Sequence, residues 1–244
     1  MKNQWRNDDG LTEKRWRKWL SDLQNLMLPR FCPVCSQRLM PSEQFLCMAC
    51  SMDLPRINLN PIDDNAMIRK LWPHIPVEAG TSVIAYRHQS PFHNILVNIK
   101  YHDATELAFE MGRWAAWEIT STAIFGQTDV MVPVPLSRRK TLKRGYNQSQ
   151  LLCEGMAQVN RLPIRNWLHR LSDENTQTHL NEEERIENTA HAFEADIPIE
   201  ERGKRILLVD DVFTTGATMT ACAKAILNSD ETAVINVFSL AYTV

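Results

Sequence analysis

The sequence predicts an α/β protein: a doubly wound, mainly parallel sheet, preceded by a small N-terminal helix and a four-cysteine module. Three observations predict it. From about residue 80 onward, short apolar runs with strand character alternate with amphipathic helical stretches. One run, KRILLVDDV at 204–212, holds the unbroken apolar stretch Ile206, Leu207, Leu208 and Val209 before its two acids, as in a strand covered on both faces. Four of the six cysteines fall in two tight pairs between 32 and 50.

The elements follow in order. Over 11–28, Trp16, Trp19, Leu20, Leu23 and Met27 recur at helical spacing, and Lys14, Arg15, Arg17 and Lys18 occupy the remaining face. This predicts a basic amphipathic helix stopped by Pro29. With the cysteine segment it makes a first region, 1–55. The stretch 56–80 begins with a polar, proline- and asparagine-containing run and reads as a linker. A main domain over 81–244 then reads as strand SVIAY, helices FHNILVNIKY and ELAFEMGRWAAWEITSTAI, strand DVMVPVP, helix NQSQLLCEGMAQV, strand KRILLVDDV, helix ATMTACAKAIL and strand TAVINVFSLAYTV. Helices of that length between strands imply parallel pairing with right-handed crossovers. The polar region 166–194 reads as an excursion from the sheet.

Composition excludes several classes. With 44% hydrophobic and 23% charged residues the chain is neither disordered nor fibrous. A formal net charge of −2 gives no global attraction to a polyanion, so any nucleic-acid contact must come from a local basic surface. No run approaches the roughly 18 apolar residues of a membrane span, and the charged N-terminus lacks a signal-peptide core, which predicts a cytoplasmic protein without membrane insertion. Cys153 and Cys222 lie in apolar helical patterns and read as small buried hydrophobes.

The spacing Cys32-x2-Cys35-x11-Cys47-x2-Cys50 presents four thiolates tetrahedrally to one Zn²⁺, a closed and therefore structural site. The segment is too short to own a hydrophobic core, so a metal is what it needs. An iron–sulfur site or a pair of redox-active C-x-x-C motifs fits less well, because neither a redox partner motif nor a thioredoxin-like strand accompanies the cysteines.

The segment ILLVDDVFTTGAT at 206–218 carries the chemistry of the main domain. A strand delivers Asp210 and Asp211 at the carboxyl edge of the sheet, where open α/β sheets bind ligands. Next comes a turn that opens a helix, offering free N–H groups and the positive end of a dipole to phosphate. Thr214, Thr215 and Thr218 add hydroxyls, Ala217 adds backbone, and Gly216 lets the backbone approach closely. Paired acceptor carboxylates suit ribose hydroxyls, so cradle and pair together describe a ribose 5-phosphate. There is neither a G-x-x-x-x-G-K-[ST] nor a G-x-G-x-x-G after a strand. The segment resembles the signature of type I phosphoribosyltransferases, with Phe213 standing where an aliphatic residue is commoner.

A second element, VPVPLSRRKTLKRGYNQSQ, follows another strand and reads as a loop. It holds Arg138, Arg139, Lys140, Lys143 and Arg144 with no acid among them and suits pyrophosphate, Arg138, Lys143 and Arg144 being its chosen contacts. A third, LHRLSDENTQTHLNEEERIENTAHAF, holds Arg170, Gln177, Leu180, Arg185, Asn188 and Phe193. Alone it reads as surface; within the resembled fold it occupies the position of a mobile loop covering the substrate, with Arg170, Gln177 and Arg185 as candidates. In this order the four elements resemble the ComF family of competence-associated proteins over nearly the whole chain, R-G-Y-N-Q after V-P-V-P-L being the most family-specific part. The resemblance implies an accessory role in DNA uptake, for transformation or for use of external DNA. It further implies 5-phosphoribosyl 1-pyrophosphate with Mg²⁺ as ligand, and single-stranded DNA and competence-machinery proteins as partners. An active phosphoribosyltransferase and a sensor of phosphoribosyl pyrophosphate also fit, because binding and turnover need the same cradle.

Overall fold

A computed structural model describes residues 29–101, 104–171 and 192–244. The basic helix expected over 11–28 lies outside them. The chain divides into two compact units, Met1–Asp53 and Leu54–Val244. Among the described residues no helix is long and apolar enough to cross a membrane.

In the first unit the described chain is mostly turns, with one short helix, α1 (Met48–Met52), and an antiparallel bridge between Phe31 and Arg38. Glu43 stitches it together by accepting from the backbone N–H groups of Met40 and Met48, both at 2.7 Å. Those two donors hold its carboxyl below the usual carboxylate range.

The second unit is built on a four-stranded parallel sheet in the order β1 (Ala79–Tyr86), β6 (Val234–Thr243), β5 (Arg205–Phe213), β2 (Val130–Pro133). Ile206, Leu207, Leu208 and Val209 are all buried, as a strand covered on both faces requires. Ile206 and Leu208 share a core cluster with Met219, Cys222 and Ile226 of α7 (Ala217–Ser229). Strand alternation turns Leu207 and Val209 to the opposite face. Helix α6 (Gln148–Asn160) packs there against β2 and β5, and α4 (Thr105–Glu118) packs against α6. Helices on both faces make the sheet doubly wound, as expected. The excursion begins and ends as a two-stranded antiparallel ribbon, β3 (Leu168–Arg170) with β4 (Phe193–Ala195), lying on α7. Cys153 and Cys222 are fully buried.

The expected linker at 56–80 is corrected: this stretch belongs to the domain. Helix α2 (Ala66–Leu71) lies in it, and Leu59, Met67, Ile68, Leu71, Ile75 and Val77 join the core. Asn65 anchors the stretch, accepting from the N–H groups of Met67 and Ile68 while its amide donates to the carbonyls of Leu59, Pro61 and Gly80. Six helical residues are too few to show a period, and the prolines and asparagines around them read as turn chemistry.

Helices α4 and α6 cross at glycines. A Cβ on Gly155 would lie 2.0 Å from the Phe109 carbonyl oxygen and 2.8 Å from the Arg113 nitrogen, and one on Gly112 would lie 2.2 Å from the Leu152 carbonyl. Backbone cannot yield as a side chain can. Gly155→Ala is therefore expected to cost about 1–3 kcal/mol by thermal or denaturant unfolding. Gly126→Ala, whose Cβ meets nothing closer than 3.4 Å, should leave stability nearly unchanged. Equal effects at the two positions would show that the crossing does not depend on glycine.

Candidate ligand site and metal centre

In the first unit, one ligand atom from each of Cys32, Cys35, Cys47 and Cys50 lies within 4.8 Å of the others. No disulfide joins them; the Cys35 and Cys47 sulfurs are 3.6 Å apart, far beyond a bonded pair. Thiolates around one tetrahedral Zn²⁺ with bonds of about 2.3 Å stand roughly 3.8 Å from one another, close to the 3.6 Å between the Cys35 and Cys47 sulfurs. Backbone supports it: the Cys32 N–H donates to the Gln37 carbonyl, the Ser36 N–H to the Cys32 carbonyl, and the Cys50 N–H points to the Cys47 sulfur. Burial opposes the Cys32 thiolate, but the backbone N–H groups of Cys47, Cys35 and Val34 outweigh it and bring the thiol down to about 7. Burial and the neighbouring sulfurs push Cys50 up. Crowded thiolates oppose one another's ionisation, and a divalent cation at their centre offsets that. The four thiols are placed to bind one metal ion.

In the second unit the acid pair lies near the carboxyl end of β5, but not at its last residue: pairing with β6 continues through Val212 and Phe213. The Asp210 carboxylate accepts from the Ser149 hydroxyl at 3.0 Å and from the Asp211 N–H at 2.8 Å. Asp211 is ion-paired with Lys100 at 2.9 Å. Beyond the pair, Thr214 is exposed, Thr215 and Thr218 are half-buried, and the N-cap of α7 is Gly216 at φ 88°. Glycine is required there twice over, because a Cβ would meet the Phe213 ring at 2.8 Å and Leu71 at 2.9 Å. Phe213, the departure from the resembled signature, thus has its own place: it stacks on Tyr242 beneath the turn. Thr215 contributes a long contact from the Ala217 N–H at 3.4 Å.

The basic segment is not a loop. Residues Arg138–Arg144 form a helix, α5, capped by Ser137, which accepts from the Lys140 N–H. Lysine, arginine and leucine are good helix formers, and a serine cap in front suffices to start a turn. Arg138 and Lys143 are exposed and Arg144 is half-buried. Pro133 of β2 is in register with Val209, so α5 follows a strand end beside the acid pair. The R-G-Y-N-Q residues after it do structural work. Tyr146 donates to the Ile99 carbonyl at 2.7 Å; Asn147 donates to the Val134 carbonyl and caps α6 through the Ser149 N–H.

Arg170 lies over the Phe193 ring at 5.2 Å, and its buried Nε has no hydrogen-bond partner among the described residues. Gln177, Leu180, Arg185 and Asn188 lie outside the described residues. Two lysines escaped the sequence reading. Lys100 belongs to α3 (His93–Tyr101), and Lys70 of α2 donates to the Thr214 carbonyl at 3.3 Å while standing over the Tyr242 ring. Lone lysines in amphipathic or linker-like stretches carry no motif, so no sequence signal marked them. Together these groups offer two carboxylate acceptors, a helix N-terminus with hydroxyls, and cations from three elements.

Burial, and then the charge of Asp211, push the Asp210 carboxyl up to about 7; the Asp211 N–H, Ser149 and Lys100 pull the other way. A carboxyl raised in the folded state binds a proton that the unfolded chain has already lost. Its contribution therefore falls as pH rises from about 4 to about 7. Asp210→Asn should remove this slope and stabilise the ligand-free protein more at pH 8 than at pH 5, read by thermal unfolding at the two values. A variant less stable than wild type at pH 8 would contradict the burial of that charge.

No family model matches the chain. Among curated proteins, it is 27% identical over 215 residues to the DNA utilization protein YhgH of Escherichia coli, covering 83% of this chain and 86% of the relative. It is 34% identical over 98 residues to competence protein F of Haemophilus influenzae, 39% of this chain and 43% of the relative. To competence protein ComFC of Bacillus subtilis it is 34% identical over 111 residues, 46% and 43% of the two chains. With its cysteine cluster ahead of a parallel α/β domain, the chain is similar to these DNA utilization and competence proteins, as the resemblance to the ComF family led one to expect.

Proposed function

We propose that this protein is an accessory factor of DNA uptake, in transformation or in the use of external DNA. Its α/β domain binds phosphoribosyl pyrophosphate or a related ribose phosphate, and its cysteine module holds a structural Zn²⁺. The names of the relatives, a DNA utilization protein and two competence proteins, support the biological part. The chemical part is carried by one observation: an acid pair followed immediately by a threonine-rich turn that opens α7. Asp210 and Asp211 accept from ribose hydroxyls. The N–H groups at the start of α7 and the hydroxyls of Thr214, Thr215 and Thr218 hold the 5-phosphate. Arg138, Lys143 and Arg144 face the pyrophosphate, which arrives carrying its Mg²⁺. These groups serve binding and transfer alike, so pyrophosphate release is measured beside affinity.

The test is calorimetric titration of full-length protein with phosphoribosyl pyrophosphate and Mg²⁺, then with single-stranded DNA. Wild type should bind the sugar phosphate, and Asp210→Asn with Asp211→Asn should not. Single-stranded DNA should bind at low salt, with a log–log salt slope of about −0.7 per phosphate neutralised. Mutual exclusion of the two ligands assigns the DNA contact to α5, and independent binding assigns it elsewhere, Lys14, Arg15, Arg17 and Lys18 with Trp16 and Trp19 being the alternative. No response to the sugar phosphate at millimolar concentration removes the ribose phosphate reading; no DNA binding at low salt removes direct DNA contact.

For the metal, elemental analysis of protein purified under reducing conditions should find about one Zn²⁺ per chain, as one closed four-thiolate site requires. Chelation should raise amide exchange within Met1–Asp53 and leave the sheet domain protected. Iron in place of zinc, or no metal, overturns the assignment.

A further inference from the structure

Lys100 sits on α3, an element with no part in the ribose phosphate reading above. Its ammonium lies 2.9 Å from Asp211 Oδ2, with the two side chains only 27% and 13% exposed. An exposed ion pair is worth little, because water screens it and the long side chain must be immobilised. Here both side chains are largely shielded from water, and the backbone that carries Lys100 is itself held. The Tyr146 hydroxyl donates to the carbonyl of Ile99, the residue before Lys100, and ties the last turn of α3 to the segment that follows α5. Three residues further on, Ser149 donates to Asp210. One stretch, 146–149, thus fixes a partner for each member of the acid pair: Ser149 directly on Asp210, and Lys100 through Ile99 on Asp211.

The pairing solves a problem that the ligand creates. Two adjacent carboxylates suit a sugar diol, but they repel the phosphates attached to the same sugar. We propose that Lys100 is a positioning residue of the ribose phosphate site, holding Asp211 by Oδ2 so that Oδ1 remains to accept a ribose hydroxyl, and offsetting one of the two negative charges met by an anionic ligand. The ammonium is suited to this because it carries three donors and no acceptor, so it cannot compete with the carboxylates for the hydroxyls. This role rests on the ribose phosphate reading, and its test separates the two.

Full-length, metal-loaded protein is titrated with phosphoribosyl pyrophosphate and Mg²⁺ as wild type, Lys100→Met, Lys100→Arg, Asp211→Asn and the double variant Lys100→Met with Asp211→Asn. Loss of a charge-assisted contact predicts roughly ten- to a hundredfold weaker binding for Lys100→Met. Lys100→Arg should recover most of it, since charge and donors are kept. In the Asp211→Asn background, Lys100→Met should cost almost nothing further, because its partner is gone. If Lys100→Met does not fold by thermal unfolding, Lys100→Gln carries the same expectations. Binding unchanged in Lys100→Met, or weakened by the same factor with and without Asp211, overturns the positioning role while leaving the site. A wild type that ignores the ligand overturns the ribose phosphate reading and the role together.

Discussion

Two carboxylates side by side near the end of a strand buried on both faces are in conflict with their surroundings. Each resists leaving water, and each resists the other. Much of the second unit answers that conflict. Ser149 and the Asp211 N–H serve Asp210, and Lys100 serves Asp211, yet burial still leaves the Asp210 carboxyl pushed up to about 7. A carboxyl perturbed in this way at a strand-end site is in keeping with the ligand-binding role proposed for it.

The supports come from distant parts of the chain, and short contacts assemble them. Tyr146 joins the segment after α5 to α3, and Asn147 joins it to the end of β2 while starting α6. Leu71 of α2 and the Phe213 ring crowd the turn at Gly216 from two sides. The turn is therefore shaped by packing beneath it as much as by its own residues. A helix start held that firmly presents its N–H groups without first paying to order them, as anion binding at helix termini requires.

The two units answer the entropy of folding differently. Leu54–Val244 buries a large apolar cluster between sheet and helices, from Leu59 to Tyr242. The described part of Met1–Asp53 has one five-residue helix and exposes Phe31, Met40, Met48 and Met52. Burial alone is a weak source of order for such a module. Four converging thiols and a carboxylate bridging two backbone N–H groups take its place.

Local patterns made the fold class, every strand of the main sheet, the cysteine cluster and the acid-pair segment legible, because period, spacing and turn chemistry are written in neighbouring residues. The same locality misled where an element is short. Residues 56–80 looked like a linker, since six helical residues show no period and Asn65 looks like turn chemistry until its amide is seen bonded to three carbonyls. The basic segment looked like a loop because its cap, Ser137, is a single residue. Sequence by itself determined the acid pair, the hydroxyl-rich turn and the basic segment after β2, for that chemistry resides in neighbouring side chains, whereas Lys70 and Lys100 carried no local signal. Which cation meets which acid was decided only by tertiary structure: Lys100 and Asp211 are 111 residues apart in the chain and 2.9 Å apart in space, and nothing short of the packed sheet brings them together.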